Sequence, residues 1–371
     1  MNATPPSGTG AAAATPPADL LRGVAAAQAQ PGVSGSLAPT AARIWWFALG
    51  YFACYVPYSA LTKALSKGYL GDPVGGPQIV PISVAASMLS MFAFLSLARW
   101  WRYARHVEVR GRRWPLPTRW TALSGVATAA IVITTTLAYT FEGVSILFAM
   151  LLMRGGVLLL APIIDTLSHR KVRWNAWIGG GLAMGALVVA FAERSGYDIS
   201  TAAALDIAIY LAGYFVRLRL MSRLAKTGRR EDDIRFFVEE QMVATPALLL
   251  AVIALALWSG SDFTAELASG FTNLWGSSAL IAVLVIGVLS QGTGVFGGLI
   301  LLEPAENAFC VPVNRSSSIM AGVVASVTLW LAFGTDPPST YQLAGAGLVV
   351  CAIAALSLPS LIATRRAKEA S

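Results

Sequence analysis

Two arginines are the side chains best placed to do chemistry. Arg154 and Arg315 each sit about halfway along an apolar run long enough to cross a bilayer. A guanidinium at mid-membrane costs roughly 2.5–3.5 kcal/mol on insertion scales, so it is expected to face a cavity, a partner or a ligand. It stays charged and presents a planar fork of donors suited to carboxylate or phosphate. The two positions are equivalent, since Glu142 precedes Arg154 by the same interval as Glu303 precedes Arg315. That interval is about 18 Å of helix, so neither glutamate reaches the arginine on its own helix. The pair reads as two cationic anchors for an anion. The competing reading is that each arginine only locks the bundle, through a buried acid or backbone carbonyls.

Polar and aromatic residues cluster near them in sequence. Arg315 lies in the run Asn314-Arg-Ser-Ser-Ser, which puts Asn314 and Ser316 among the candidate binding residues. The segment Gln291-Gly-Thr-Gly contributes Gln291 and Thr293, either on a broken helix that lines a site or on a close packing face. Thr135, in the middle of three threonines, is a further candidate, although threonine hydroxyls in apolar helices commonly bond back to their own backbone. Tyr55 and Tyr58 flank Pro57 in the first apolar run, and Tyr210 and Tyr214 occupy the matching sixth run. Tyr55, Tyr58 and Tyr214 are the candidate aromatic wall. Asp206 is the acid most clearly inside a helix and the candidate proton-coupling group. Arg217 and Arg219 snorkel at the end of the sixth run, or Arg217 turns to the cavity. Glu239 and Glu240 suit the positive start of the seventh run.

Signatures of catalysis and metal binding are missing from the sequence. The two histidines fall in loops, Asp165 and His169 lack a third partner, and there is neither a Walker loop nor a nucleophile elbow. No enzyme activity, metal or cofactor is therefore expected. Cys54, Cys310 and Cys351 fall in different apolar runs and read as small core residues.

The elements that must hold these residues are helices in lipid. The chain is 56% hydrophobic and only 12% charged, against about 25% charged in an ordinary soluble domain. Ten apolar runs stand out, at approximately 44–65, 79–98, 121–140, 144–164, 174–193, 202–222, 237–258, 278–301, 307–333 and 340–362. They are apolar all round and show no strand alternation, so a barrel is not expected. The basic residues behind the net charge of +8 are concentrated in loops: Arg99–Arg119, His169–Arg173, Arg223–Arg235 and the tail around Arg365. These loops fall on one side, while the loop at 259–277 carries Asp262 and Glu266 but no basic residue. The positive-inside rule places both termini in the cytoplasm, with the basic loops against anionic lipid heads rather than nucleic acid. Residues 1–43, rich in Ala, Pro, Gly, Ser and Thr, read as a disordered cytoplasmic tail without a secretory signal, and 363–371 as a short cytoplasmic tail. Gly181 and Gly185 form a GxxxG packing face suited to a second helix or a homodimer.

The chain also matches itself. A shift of about 160 residues lays Ser145–Ile164 over the run starting at Asn307, and Ile178-Gly-Gly-Gly-Leu over Ala344-Gly-Ala-Gly-Leu. Five helices per copy is odd, so the second copy, 202–362, enters the membrane from the side opposite to the first, 44–193. That predicts two inverted five-helix repeats with a site between them.

The stretch from Ala138 to Asp165, followed by Arg170-Lys-Val-Arg-Trp and the Gly-rich fifth run, resembles the repeat of the drug/metabolite transporter superfamily, including its EamA-like members. The second copy runs from Glu303 to Ala355. The resemblance implies a central cavity lined by helices one, three, four, six, eight and nine, with five and ten peripheral. The family commonly shows a Glu-Pro pair near the places where this chain has Arg154-Gly155 and Arg315-Ser316.

The expectation is an all-α integral membrane protein of ten helices, in a bacterial inner membrane. It would be a secondary transporter of a small organic anion or metabolite working by alternating access. The alternatives are a carrier or flippase of an amphipathic lipid-like molecule, and a non-transporting membrane subunit.

Overall fold

Apolar runs of this length fold as helices because each backbone polar group finds its partner within the segment. The computed structural model describes residues 37–137, 146–191, 201–258, 260–335, 337 and 340–369. Among them are eleven α-helices: α1 (Leu37–Ser66), α2 (Gly76–Leu97), α3 (Arg119–Leu137), α4 (Ile146–Leu167), α5 (Trp174–Phe191), α6 (Thr201–Leu224), α7 (Arg230–Leu257), α8 (Asp262–Ser269), α9 (Leu280–Leu302), α10 (Asn307–Phe333) and α11 (Thr340–Glu369). Helices α2, α7, α9 and α10 are long and apolar enough, by length and composition, to cross a membrane. The body Ala38–Ser371 is one compact unit. This architecture fits an all-α, multi-pass membrane protein.

Three local features differ from the sequence expectation. Helix α1 starts at Leu37 rather than at 44, so Arg43 belongs to it and not to a tail. The acidic loop at 259–277 contains α8, started by a reciprocal capping box in which Ser261 accepts from Thr264 N and Thr264 accepts from Ser261 N. The first basic loop folds into a hairpin of β1 (His106–Val109) and β2 (Arg112–Pro115). Arg110 and Gly111, both at positive φ, make its tight two-residue turn. Glu142 and residues 1–36 lie outside the described residues.

Helix α5 packs along α11, α3 lies against both α6 and α7, and α2 runs beside α9. Gly125 permits the approach of α3 to α7, because a Cβ there would come within 2.7 Å of the Glu240 carbonyl oxygen and of Val243. Of the two GxxxG glycines of α5, Gly185 lies against α11, where a Cβ would be 3.9 Å from Leu348, while nothing among the described residues lies within 4 Å of a Cβ placed on Gly181.

A polar network ties the helices together at the end where α4, α6 and α9 finish. Buried Asp165 accepts from Asn307 N at 3.0 Å, Asn307 Nδ2 at 2.8 Å and Ala308 N at 2.7 Å. A carboxylate from α4 thereby satisfies the free N–H groups that open α10 and meets the positive end of its dipole. Lys226 Nζ donates to Ala305 O and Asn307 Oδ1, each at 2.9 Å, and Arg170 Nη2 donates to Lys226 O at 2.8 Å. Arg43 forks onto Glu303 with contacts of 2.6 and 3.1 Å.

Asp165→Ala strips acceptors from two buried backbone N–H groups, so it is expected to destabilise the fold by about 2–4 kcal/mol. Thermal unfolding in detergent should show a clear drop in Tm, with Asp165→Asn, which keeps one acceptor, losing less. An unchanged Tm would remove Asp165 from its structural role.

Candidate functional site

Helical spacing builds the wall of a single large cavity. Along α1, Tyr51, Tyr55, Tyr58 and Thr62 recur every three to four residues and share one face. Tyr210, Tyr214 and Arg217 do the same on α6, and Ser290, Thr293, Gly294, Gly297, Gly298 and Leu301 on α9. All three stripes face a cavity of about 690 Å³. Arg154 from α4, Asn314 and Arg315 from α10, Ile131 and Thr135 from α3, the first turns of α2, and Phe263 from α8 complete the lining. Gly297 is needed there, because a Cβ would lie 3.1 Å from the Tyr51 ring and 3.2 Å from Asn314 Nδ2. The volume suits a small organic molecule.

The charges in the wall are unequal. Arg217 is neutralised: its Nε and Nη2 meet the two oxygens of Glu240, each at 2.9 Å. Ser124 and Thr128 donate to the same carboxylate at 2.6 and 3.1 Å. Arg154 and Arg315 have no carboxylate within ion-pair distance among the described residues. Each leans on a tyrosine instead. Arg315 Nη2 donates to Tyr214 Oη at 2.5 Å, with its guanidinium 5.2 Å from the ring centroid, and Arg154 Nη2 reaches Tyr55 Oη at 3.4 Å. Arg315 Nε is buried with no hydrogen-bond partner. A buried donor left unmade is costly, and the cavity that Arg315 lines holds neither Asp nor Glu among the described residues.

The threonine hydroxyls in the wall are bonded back to their own helices. Thr135 donates to Ile131 O at 2.7 Å, Thr293 to Ser290 O at 2.6 Å and Thr62 to Tyr58 O at 2.7 Å. These threonines keep acceptor lone pairs but offer no free proton. The donors that a guest meets include the guanidiniums, the Asn314 amide and tyrosine hydroxyls.

Of the residues singled out from sequence, Arg154, Arg315, Asn314, Thr293, Tyr55, Tyr58, Tyr214 and Thr135 line this cavity. Gln291, Ser316 and Asp206 are not part of its lining, and helix rotation explains the first two. Gln291 sits one residue, about 100° of turn, off the α9 stripe that starts at Ser290. Ser316 lies the same step beyond Arg315, fully buried, with its hydroxyl unpartnered. Asp206 is buried one turn before Tyr210 on α6, with one carboxylate oxygen unpartnered.

Tyr51 and Phe263 went unrecognised in sequence, as did the function of Glu240. Tyr51 carried a usable signal: it precedes Tyr55 by four residues, as Tyr210 precedes Tyr214, and both ring pairs are close, at 5.5 and 5.0 Å between centroids. The Arg217–Glu240 pair joins residues 23 apart on two helices, with no local pattern to reveal it.

The cavity lining extends to Thr62, Gly76 and Phe263, where α1 ends and α2 and α8 begin. At the other end stands the Arg43–Glu303 pair beside a small separate space also lined by Phe47, Trp100, Arg230 and Asp233. Burial holds the Glu303 carboxyl above its ordinary pKa, against the opposing pull of Arg43.

No family model and no curated protein matches the chain. Among solved structures, a crystal structure described only as that of a protein is similar over 85% of this chain and 97% of its own, at TM-score 0.55 and 16% identity. That likeness is one of fold alone.

Removing one member of a buried ion pair leaves the other uncompensated, so Glu240→Ala is expected to cost about 3–5 kcal/mol. The double variant Arg217→Met/Glu240→Met should recover most of that loss in the same detergent unfolding assay. A single variant no less stable than the double would contradict the pairing.

Proposed function

We propose that the chain is a ten-helix secondary transporter that carries a small organic anion through the cavity between two inverted repeats. The observation that carries this reading is the pair of cavity-facing guanidiniums, Arg154 and Arg315, that lack any acid among the described residues. A permanently charged group in an apolar body requires compensation, and an entering anion supplies it.

Several features support the duplication. The shift from Tyr51 and Tyr55 to Tyr210 and Tyr214 is 159 residues, and that from Arg154 to Arg315 is 161. Tyrosine and arginine are also paired alike in both halves, Tyr55 with Arg154 and Tyr214 with Arg315. Exchanging the halves turns the α3–α7 packing into the α9–α2 packing, and carries α2–α7, α4–α10 and α5–α11 onto themselves. The exchange is not exact: α6 packs on α3 and α4, whereas its counterpart α1 makes no comparably close helix packing on α9 or α10, and the α5–α10 and α9–α10 packing has no equally close counterpart in α11–α4 and α3–α4. Unequal packing of equivalent helices is what one end-state of a rocking mechanism requires.

On this reading the membrane is a bacterial inner membrane with both termini cytoplasmic. The cavity then opens away from the basic side, and the Asp165, Lys226 and Arg43 contacts hold the cytoplasmic side closed. The small-residue pattern and the two-copy architecture fit an EamA-like member of the drug/metabolite transporter superfamily. A gradient or a counter-substrate would drive uphill movement.

Counterflow in proteoliposomes, with a panel of radiolabelled carboxylates and phosphate esters, tests this directly. Wild type should exchange at least one of them, and Arg315→Ala should lower that flux by about 100-fold, the scale of a lost charge-assisted contact. Normal flux in the variant would end the anion-anchor reading.

A further inference from the structure

The charges and the surfaces of the cavity together narrow the guest. We infer that the cavity is matched to a doubly negative head on an apolar or aromatic body, a refinement that rests on the anion reading above.

The head follows from charge counting. Three guanidiniums line the cavity, those of Arg154, Arg217 and Arg315, and no acid does. Glu240, behind the wall, cancels Arg217 through a two-pronged pair. Two positive charges remain uncompensated among the described residues. A singly negative head would leave one of them unpaired in a space lined largely by apolar groups and depleted of water once the guest enters. A dianion balances both. The guanidiniums of Arg154 and Arg315 give that head its charged donors, and the Asn314 amide gives another.

The body follows from what surrounds the arginines. Two tyrosine pairs flank them, Tyr51 with Tyr55 on α1 and Tyr210 with Tyr214 on α6. Toward the open end the lining turns apolar, through Ile79, Val80, Ile286 and Phe263. Ring faces and aliphatic groups suit an apolar body, and the threonine hydroxyls among them are bonded back to their own helices.

The test uses probes that share one body and differ in charge. Phenyl phosphate is a dianion at pH 8, and methyl phenyl phosphate is the same body as a monoanion. Inorganic phosphate is the head alone. Binding of each to the full-length protein in detergent is measured by calorimetry. Phenyl phosphate should bind about tenfold or more tighter than its methyl ester, and likewise tighter than inorganic phosphate. Its lead over the ester should shrink at pH 5, below the second phosphate pKa of about 6. In Arg315→Gln, folded by its unfolding transition, phenyl phosphate and the ester should bind alike. Equal wild-type binding of this pair at pH 8, with both weakened in Arg315→Gln, would overturn the dianion while leaving the anion site standing. Inorganic phosphate binding as tightly as phenyl phosphate would overturn the apolar body. Binding of benzyl alcohol or benzylamine with none of the three anions would overturn the anion reading itself, and this inference with it.

Discussion

A guanidinium cannot shed its proton to escape an apolar environment, so the rest of the structure must arrange for its charge. Three arginines, two buried and one partly buried, face the same hollow here, and the protein treats them differently. Arg217 has an acid of its own, held by two hydroxyls from α3. Among the described residues, Arg154 and Arg315 have only tyrosine oxygens and a ring face. A phenol oxygen solvates a cation without neutralising it, which leaves the field of both arginines directed into the cavity. The glycines of α9, the tyrosine stripes and the bonded-back threonines all serve to keep that hollow open and short of competing acids.

The opposite treatment appears at the basic end. There several cations have close partners: Arg43 has Glu303, Arg173 has Glu306, and Lys226 has Asn307 and a backbone carbonyl. Many of these bonds cross between the part of the chain before residue 193 and the part after 202, and Asp165 is the most connected, because it completes the first turn of α10 from α4. They are individually modest, reversible contacts, and burial raises the Glu303 carboxyl above its ordinary pKa while Arg43 pulls it down. Such an end can close firmly and still open, as the proposed rocking requires.

Much of this was legible in the sequence. Ten apolar runs announced the helices, because length and unbroken hydropathy decide that outcome before any packing does. Arg154 and Arg315 stood out because charge in such a run is expensive, and both line the cavity. Residue identity alone did not fix the rotational phase of a helix, so Gln291 and Ser316 were grouped with the cavity residues although each lies a step off the lining face. Long-range pairing was equally hidden. Glu240 looked like a helix-start acid and is instead the counterion of a cavity arginine, and Asp165 looked like half of a weak acid–histidine pair and is a helix cap. In each case the partner lies on another helix, where no spacing rule reaches. The capping box at Ser261 and Thr264 was readable, yet an acidic loop drew attention away from it.

The account's central claim is that two uncompensated cations share one reachable cavity. Diffraction from crystals soaked in bromide, read through its anomalous signal, asks this with an anion too simple to bring specificity of its own. A bromide peak in the cavity against Arg154 and Arg315, lost in Arg315→Gln, is the predicted result. A cavity empty of halide, with bromide only at the basic loops, would contradict it.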